Sequence, residues 1–515
     1  MSDPIYQSIL GTELVALALN RDLDRTVVVL ADGTTQSAGE LRDAISRAHQ
    51  AFDALAPKPR RAAVLARNRV EVPAVMNALS FAGIVATALH PMGAIEDYLY
   101  VIKDAEVDLL VYDADHYEDV AAELQQRAPR LQHLVAIGPD GVGKSLDRLA
   151  SAHTPRALVA PPADPEDLAR IAYSGGTTGK PKGIMVTHRG MATSTQIQLT
   201  EWEWPVDIRH LICAPLSHAG ASVLTAILLK GGSIVVLPGF DPVSFMEAVE
   251  RHRITSVLMV PTMVLALIEH PRFGEFDLSS LEVVFYGASA FPAARLKDAI
   301  SKLGPIFFQF YGQSEAPMSV TVMRRADHLS DDPQRLASCG RPTPWVRVAL
   351  MDDDMRVVAE GEPGEICVQG PLLMGGYLGK PEETAQAFAG GWLHTGDVAI
   401  RSSDGFLRIV DRKKDRIVTG GFNVFAREVE DVIVTHPAVR EAAVIGVPDA
   451  KWGETVKAIV VLVPGETVSA EDLIALVRDR KGPVQAPKSI EFVDRIPLSP
   501  LGKPDKKALR TMFAG

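Results

Sequence analysis

The sequence predicts an α/β protein in two unequal parts. A large N-terminal domain of stacked, mostly parallel sheets with flanking helices precedes a small α+β C-terminal lid domain. Three observations carry this reading. Up to about residue 410, short β-branched runs alternate with longer helical windows, the pattern of parallel strands joined by helical crossovers. A charged run, Asp411-Arg412-Lys413-Lys414-Asp415-Arg416, then interrupts the alternation. Beyond it, about a hundred residues mix strands and helices at a length that suits one compact unit. The boundary is expected inside the charged run, giving domains 1–411 and 412–515.

Taken in order, strands are expected at Thr26–Leu30, Ala62–Leu65, Leu109–Tyr112, Ile234–Leu237 and Val257–Val260, with a helix over Asp241–His252. Past the boundary come a helix at Arg427–Val434, strands at Ala442–Val447 and Lys457–Pro464, and a helix at Ala470–Lys481. Val72–Ile95 and Leu211–Leu229 lack Asp, Glu, Lys and Arg and are long enough to raise the question of a membrane helix. Pro73, Asn77, Gly83 and His90 break the first, and Pro215, His218 and Gly220 break the second. Both therefore read as buried core, with no transmembrane span, and peripheral membrane contact stays open.

The 515 residues are 47% apolar and carry 64 acidic against 53 basic side chains, a net charge of −11. Without a basic stripe to displace counterions from phosphates, no nucleic-acid partner is expected. Cys213, Cys339 and Cys367 are widely spaced, with no CxxC pair, and read as buried thiols of a reducing compartment. The start, MSDPIYQSIL, has no signal-peptide pattern, so the expected location is cytoplasmic.

Residues 173–183 read Tyr-Ser-Gly-Gly-Thr-Thr-Gly-Lys-Pro-Lys-Gly, between apolar strands Leu168–Tyr173 and Ile184–Thr187. Gly175, Gly176 and Gly179 let backbone N–H groups converge on an anion. Ser174, Thr177 and Thr178 add hydroxyls, and Lys180 and Lys182 add charge. These are the parts of a triphosphate cradle. A competing match, Gly138 to Ser145, satisfies GxxxxGK[ST] after the strand Leu134–Ile137. Its following helix is short and ends before Pro155, and the run most like a metal-binding strand, Leu109–Asp113, precedes it. It reads as a connecting turn.

The loop at 173–183 resembles the signature of the superfamily of acyl-CoA synthetases, peptide-synthetase adenylation domains and luciferases. Further motifs follow in that family's order. They are Tyr311-Gly312-Gln313-Ser314-Glu315, then Thr395-Gly396-Asp397, then Asp411 to Asp415 with Gly420-Gly421-Phe422-Asn423, and finally Pro497 to Lys503. Each word is weak alone; five in order over most of the chain are specific. The resemblance implies ATP binding by the loop (Ser174 to Lys180, with Lys182), by Gly287, Ala288, Gln309, Tyr311, Gly312 and Ser314, and by Asp397 and Arg412. Glu315, with Thr177, would hold Mg²⁺. Tyr311 would stack on adenine, Gln309 would meet its amino group, and Asp397 would accept the ribose hydroxyls. Lys503 would bridge the α-phosphate and the substrate carboxylate. Lys414 would be the hinge, and Gly420 and Gly421 would line the CoA tunnel. His218 would line the acyl pocket near the carboxylate, with Ala219, Gly220, Gly287, Ala288, Gly312 and Met318.

Departures from the pattern are small. Ser314 replaces the usual Thr, Gln313 fills a variable position, and Ala426 stands where Pro is common, which loosens one turn. The implied activity is ATP-dependent acyl-CoA ligation through an acyl-adenylate, with AMP and pyrophosphate released. Segments 216–222, 286–290 and 312–318 carry no Arg or Lys, so a hydrophobic monocarboxylic acid is the expected substrate. A stand-alone enzyme loading a carrier-protein thiol is the alternative, and a homodimer stays open.

Overall fold

The computed structural model describes residues 8–30, 32–173, 181–415, 417–419, 422–449, 452–498 and 504–513. Two large sheets dominate. The first runs, in spatial order, Arg341–Pro342, Ala316–Met323, Phe307–Gln313, Val283–Tyr286, Ser256–Met259, Arg209–Ile212, Ser233–Val236, Thr26–Val29 and Thr35–Ser37. From Phe307–Gln313 to Thr26–Val29 its pairs are parallel, and both edges are antiparallel. The second runs Gly376–Tyr377, Gly183–Thr187, Leu168–Tyr173, Val85–Ala88, Arg61–Leu65, Leu109–Asp113, His133–Ile137 and Lys144–Ser145. It too is parallel through its centre. Buried both ways, its central strands read as unbroken apolar runs.

One apolar core joins the two sheets: Val28, Ile212, Phe285 and Phe310 from the first pack with Val64, Ala86, Leu109 and Val135 from the second. The two charge-free stretches end up here as short pieces. The first contains most of helix Glu71–Phe81 and strand Val85–Ala88, and the second holds part of strand Arg209–Ile212 and helix Leu224–Leu229. Among the described residues no helix is long and apolar enough to cross a membrane.

A third sheet, Arg347–Met351, Pro363–Gln369, Leu393–Arg401 and Leu407–Arg412, is antiparallel throughout. The alternation argument did not anticipate it, because hairpin strands leave no helical windows between them. Leu407, where the sequence texture changes, begins its last strand. A single 3₁₀ turn, Lys413–Asp415, follows.

The C-terminal segment builds its own sheet from Ile417–Thr419, Phe422–Val424, Val439–Asp449, Gly453–Leu462 and Ser489–Phe492. Its cores draw only on residues past the turn. Val429, Val444, Val460 and Leu473 pack on one face, and Ala443, Ile459 and Leu509 on the other. Helix Ala470–Lys481 forms over the range its pattern indicates, capped by the Ser469 side chain, which accepts from the Asp472 N–H.

Candidate active site

The expected phosphate loop is framed by pairing. Strands Leu168–Tyr173 and Gly183–Thr187 run antiparallel, with Tyr173 opposite Gly183, so the chain leaves and re-enters the sheet at adjacent points. Ser174, Gly175, Gly176, Thr177, Thr178, Gly179 and Lys180 lie outside the described residues, as do Gly420, Gly421 and Lys503. At the loop's end the Lys182 ammonium sits 4.7 Å above the Tyr377 ring. Tyr377 pairs with Ile184 in the sheet and donates its hydroxyl to Glu315 Oε1 at 2.9 Å. Glu315 is thus held beside the framed loop, with its second carboxylate oxygen turned to no partner among the described residues. A hard cation shared with phosphate oxygens needs few protein ligands, and this carboxylate fits that role.

The competing Gly-Lys segment is a turn held by its own partners. The Gly143 N–H donates to the Tyr112 hydroxyl, Val142 N–H to Glu118, and Ser145 N–H to Asp140 Oδ1. Its donors are already used, two of them by carboxylates that would repel a phosphate. The helix behind it is only Leu146–Ser151.

Strand Phe307–Gln313 carries Gln309 and Tyr311, the residues expected at adenine, and is backed by aromatic packing of Trp202 against Phe310, with ring centroids 5.1 Å apart. Gly312 must be glycine: a Cβ there would lie 2.3 Å from the Met318 N and 2.5 Å from the Ala316 O. Tyr311 donates its hydroxyl to Asp397 Oδ2 at 2.7 Å. Burial and the Asp397 charge push its phenol well above the usual range, so it stays a donor. Gln313 Nε2 donates to the same oxygen at 2.6 Å and to the Thr395 O at 2.8 Å. Arg412 Nε meets Asp397 Oδ1 at 2.7 Å. Asp397 is 3% exposed, and three donors from two other strands converge on it. Gln313, read as filling a variable position, is therefore part of this network, a partnership that sequence spacing could not display. Gln309 is buried, and its Oε1 lies 3.4 Å from the Tyr286 hydroxyl. Ser314 is exposed at the hairpin end.

The acyl-side segments converge as expected. The Ser222 hydroxyl meets Met318 Sδ at 2.6 Å, joining segments 216–222 and 312–318. A Cβ on Gly287 would approach Phe310 O to 2.5 Å, so segment 286–290 also lies against strand Phe307–Gln313. Ala288 and Met318 adopt left-handed backbone, φ +64° and +58°, which non-glycine residues rarely do. Gly220 and Ala219 lie in a single 3₁₀ turn after His218. His218 presents one edge at the surface, and its ring meets His90 at 5.1 Å, edge to face. Surrounding protein, with the charges of His90 and Arg170, pushes its pKa down to about 4, so it is a neutral imidazole near pH 7. Arg170 lies on strand Leu168–Tyr173 and His90 just past strand Val85–Ala88; nothing in the sequence indicates that either meets His218.

At the boundary, the backbone of Lys414 lies inside the turn Lys413–Asp415. The turn is tied at both ends. Lys413 pairs with Asp353 at 2.8 Å and Glu365 at 3.1 Å on the antiparallel sheet, and Asp415 pairs with Arg510 of the last helix at 3.1 Å. Just before it, buried Asp411 accepts the N–H of Ala426 at 2.6 Å. A proline at 426 has no N–H to give, so this departure from the family pattern adds a bond rather than loosening a turn. The three cysteines are buried and unpaired. Cys367 nonetheless lies 3.6 Å from His394, which is 3.0 Å from Glu365, a cluster made by the sheet. Lys413 already supplies its cation.

Fold and site together define an AMP-forming acid–thiol ligase, an enzyme that joins carboxylic acids to thiols. The chain belongs to the AMP-binding enzyme family: residues 16–378 match that family and 428–503 match its C-terminal domain. It is 48% identical to a medium/long-chain-fatty-acid–CoA ligase of Mycobacterium tuberculosis, over 97% of this chain and 89% of that protein. It is 36% identical to a feruloyl-CoA synthase of Amycolatopsis, over 93% and 94%. Among solved structures, the amide bond synthetase McbA from Marinactinospora thermotolerans superposes with a TM-score of 0.89 at 33% identity, covering 98% of this chain and all of that one.

Proposed function

We propose that this ligase activates a hydrophobic monocarboxylic acid with Mg·ATP and passes the acyl group to the thiol of coenzyme A. The observation that carries the nucleotide assignment is the convergence of Tyr311, Gln313 and Arg412 on the buried Asp397 carboxylate. An ionised carboxylate has about four acceptor sites, and three donors occupy this one. Two ribose hydroxyls can bind only if one donor yields. Arg412, 45% exposed and last in its strand, is the one free to swing, toward the phosphates.

A carboxylate is a poor acyl donor because its oxygen leaves badly. Attack on the α-phosphorus makes that oxygen part of AMP and expels pyrophosphate, so the chain's task is positioning and charge stabilisation. Glu315 would hold Mg²⁺ with Thr177, and the ion offsets the repulsion between the two anions. The loop and Lys503 supply the remaining positive charge. The turn Lys413–Asp415 is the proposed pivot of the domain 412–515. Its rotation would withdraw Lys503 and bring Gly420 and Gly421 to the thiol, where glycine permits close approach. The apolar lining and the fatty-acid and feruloyl specificities named for two relatives support a hydrophobic acid.

The test is product identity. Purified protein with a panel of carboxylic acids, Mg·ATP and CoA should yield AMP, pyrophosphate and acyl-CoA. ADP and phosphate as products would end this reading.

A further inference from the structure

Arg170 stands at the centre of strand Leu168–Tyr173, paired with Val186 on one side and Ala86 on the other. With both backbone edges covered, the residue's remaining exposure belongs to its side chain. Paired residues share a face of a sheet. Ala86 packs into the core between the two large sheets, together with Ala214, Leu216, Phe310 and Met318. Arg170 therefore faces the layer into which the acyl segments converge. Three residues on, at Tyr173, the strand ends, so Arg170 lies about 10 Å back along the strand from that end.

Among the described residues this part-buried guanidinium has no hydrogen-bond or ion-pair partner. Its Nε is sealed from solvent without a hydrogen bond. Burial alone acts on it, lowering its pKa, with no carboxylate to offset the loss of hydration. Residues 174–180 contain no Asp or Glu. Its charge is felt by His218, whose protonation it opposes. Lys and Arg are rarely buried unpaired, because desolvation costs several kcal/mol. An unpaired arginine that opens on a substrate layer is accounted for when the substrate brings the acceptor.

We propose that Arg170 is a specificity residue that receives an oxygen acceptor, a carbonyl or a carboxylate, carried by the acyl group apart from the carboxylate that is activated. The preferred acid is then largely apolar with one such oxygen on its body, rather than a plain alkyl acid. This rests on the ligase reading above.

The experiment uses the full enzyme and eight-carbon acids. These are octanoic acid, oxo-octanoic acids with the carbonyl moved carbon by carbon along the chain, and octanedioic acid, assayed by pyrophosphate release. The wild type should prefer at least one oxygen-bearing acid over octanoic acid by about tenfold or more in kcat/KM, the scale of a hydrogen bond to a charged group. Arg170→Leu should bring that ratio to about one with the KM for ATP unmoved, and Arg170→Lys should retain part of it. Preference for oxo acids identifies a neutral acceptor; preference for octanedioic acid identifies a charged one. The proposal is overturned if the wild type shows no preference for any oxygen-bearing acid, an outcome that needs no variant to fold. It is equally overturned if Arg170→Leu, folded by thermal melt, slows every acid by one factor, since Arg170 would then serve the reacting carboxylate or the scaffold. If no acid in any panel gives AMP, the ligase reading itself has failed.

Discussion

The ribose-side network and the C-terminal unit are built on opposite principles. Asp397 is fixed by donors from strands Phe307–Gln313 and Leu407–Arg412, and none of those bonds reaches the C-terminal cores. The C-terminal unit owns both of its apolar cores. Polar contacts tie it to the rest: Lys413 to Asp353 and Glu365, Asp411 to Ala426, and Arg408 to Glu428 at 3.0 Å. A surface held by hydrogen bonds and ion pairs can be exchanged for another at small net cost, because water replaces what is lost. An apolar interface could not. The contrast supports the proposal that one part binds nucleotide without moving while the other turns.

The sharpest way to break this comparison is Lys503→Ala. If the C-terminal unit carries Lys503 to the first reaction only, the variant should lose acid-dependent pyrophosphate exchange by about 10²–10³, roughly 3–4 kcal/mol. Given prepared acyl-adenylate and CoA, it should still form thioester at close to the wild-type rate. Equal damage to both half-reactions would contradict rotation of the unit.

The junction itself gives the next largest effect. Burial pushes the Asp411 carboxyl from its ordinary 3.8 up to about 6. The folded protein therefore holds this proton more tightly than the unfolded chain does. The stability it contributes is complete below about pH 3.8 and is lost as pH rises through about 6, by up to about 3 kcal/mol. Asp411→Asn cannot titrate. The wild type should lose thermal stability relative to this variant between about pH 4 and 6, and a difference that stays flat over that range would refute the assignment.

Within the large part, Gln313→Leu removes one donor to a buried carboxylate. That costs about 1.5–3 kcal/mol, read as a rise of roughly 10–100-fold in the KM for ATP with little change in that for the acid. A matching rise in both would mean that Gln313 supports the fold and not the nucleotide.

The smallest effect is expected at the competing loop. Lys144 is exposed, and Lys144→Ala should stay within about 0.5 kcal/mol, or threefold in kcat/KM. A hundredfold loss in a folded variant would return the phosphate site to residues 138–145.

The sequence by itself determined the α/β class, the charged junction, the strands that frame the phosphate loop and the order of the motifs. These rest on local chemistry: periodicity sets strand or helix, and glycine, threonine and lysine in one short run read as an anion loop from composition alone. Helix Ala470–Lys481 was legible to the residue because its cap, its apolar spacing and its Gly482 stop are all local. Only the tertiary structure decided which side chains meet. Gln313 and Asp397 are 84 residues apart, and Tyr377 and Glu315 are 62. Arg170 on its strand looks like any interrupted apolar run until the Ala86 register turns it toward the acyl layer. Ala426 looked like a lost proline until the fold set its N–H against Asp411. A hydrogen bond acts over about 3 Å of space whatever the separation along the chain, and one sequence records only the separation.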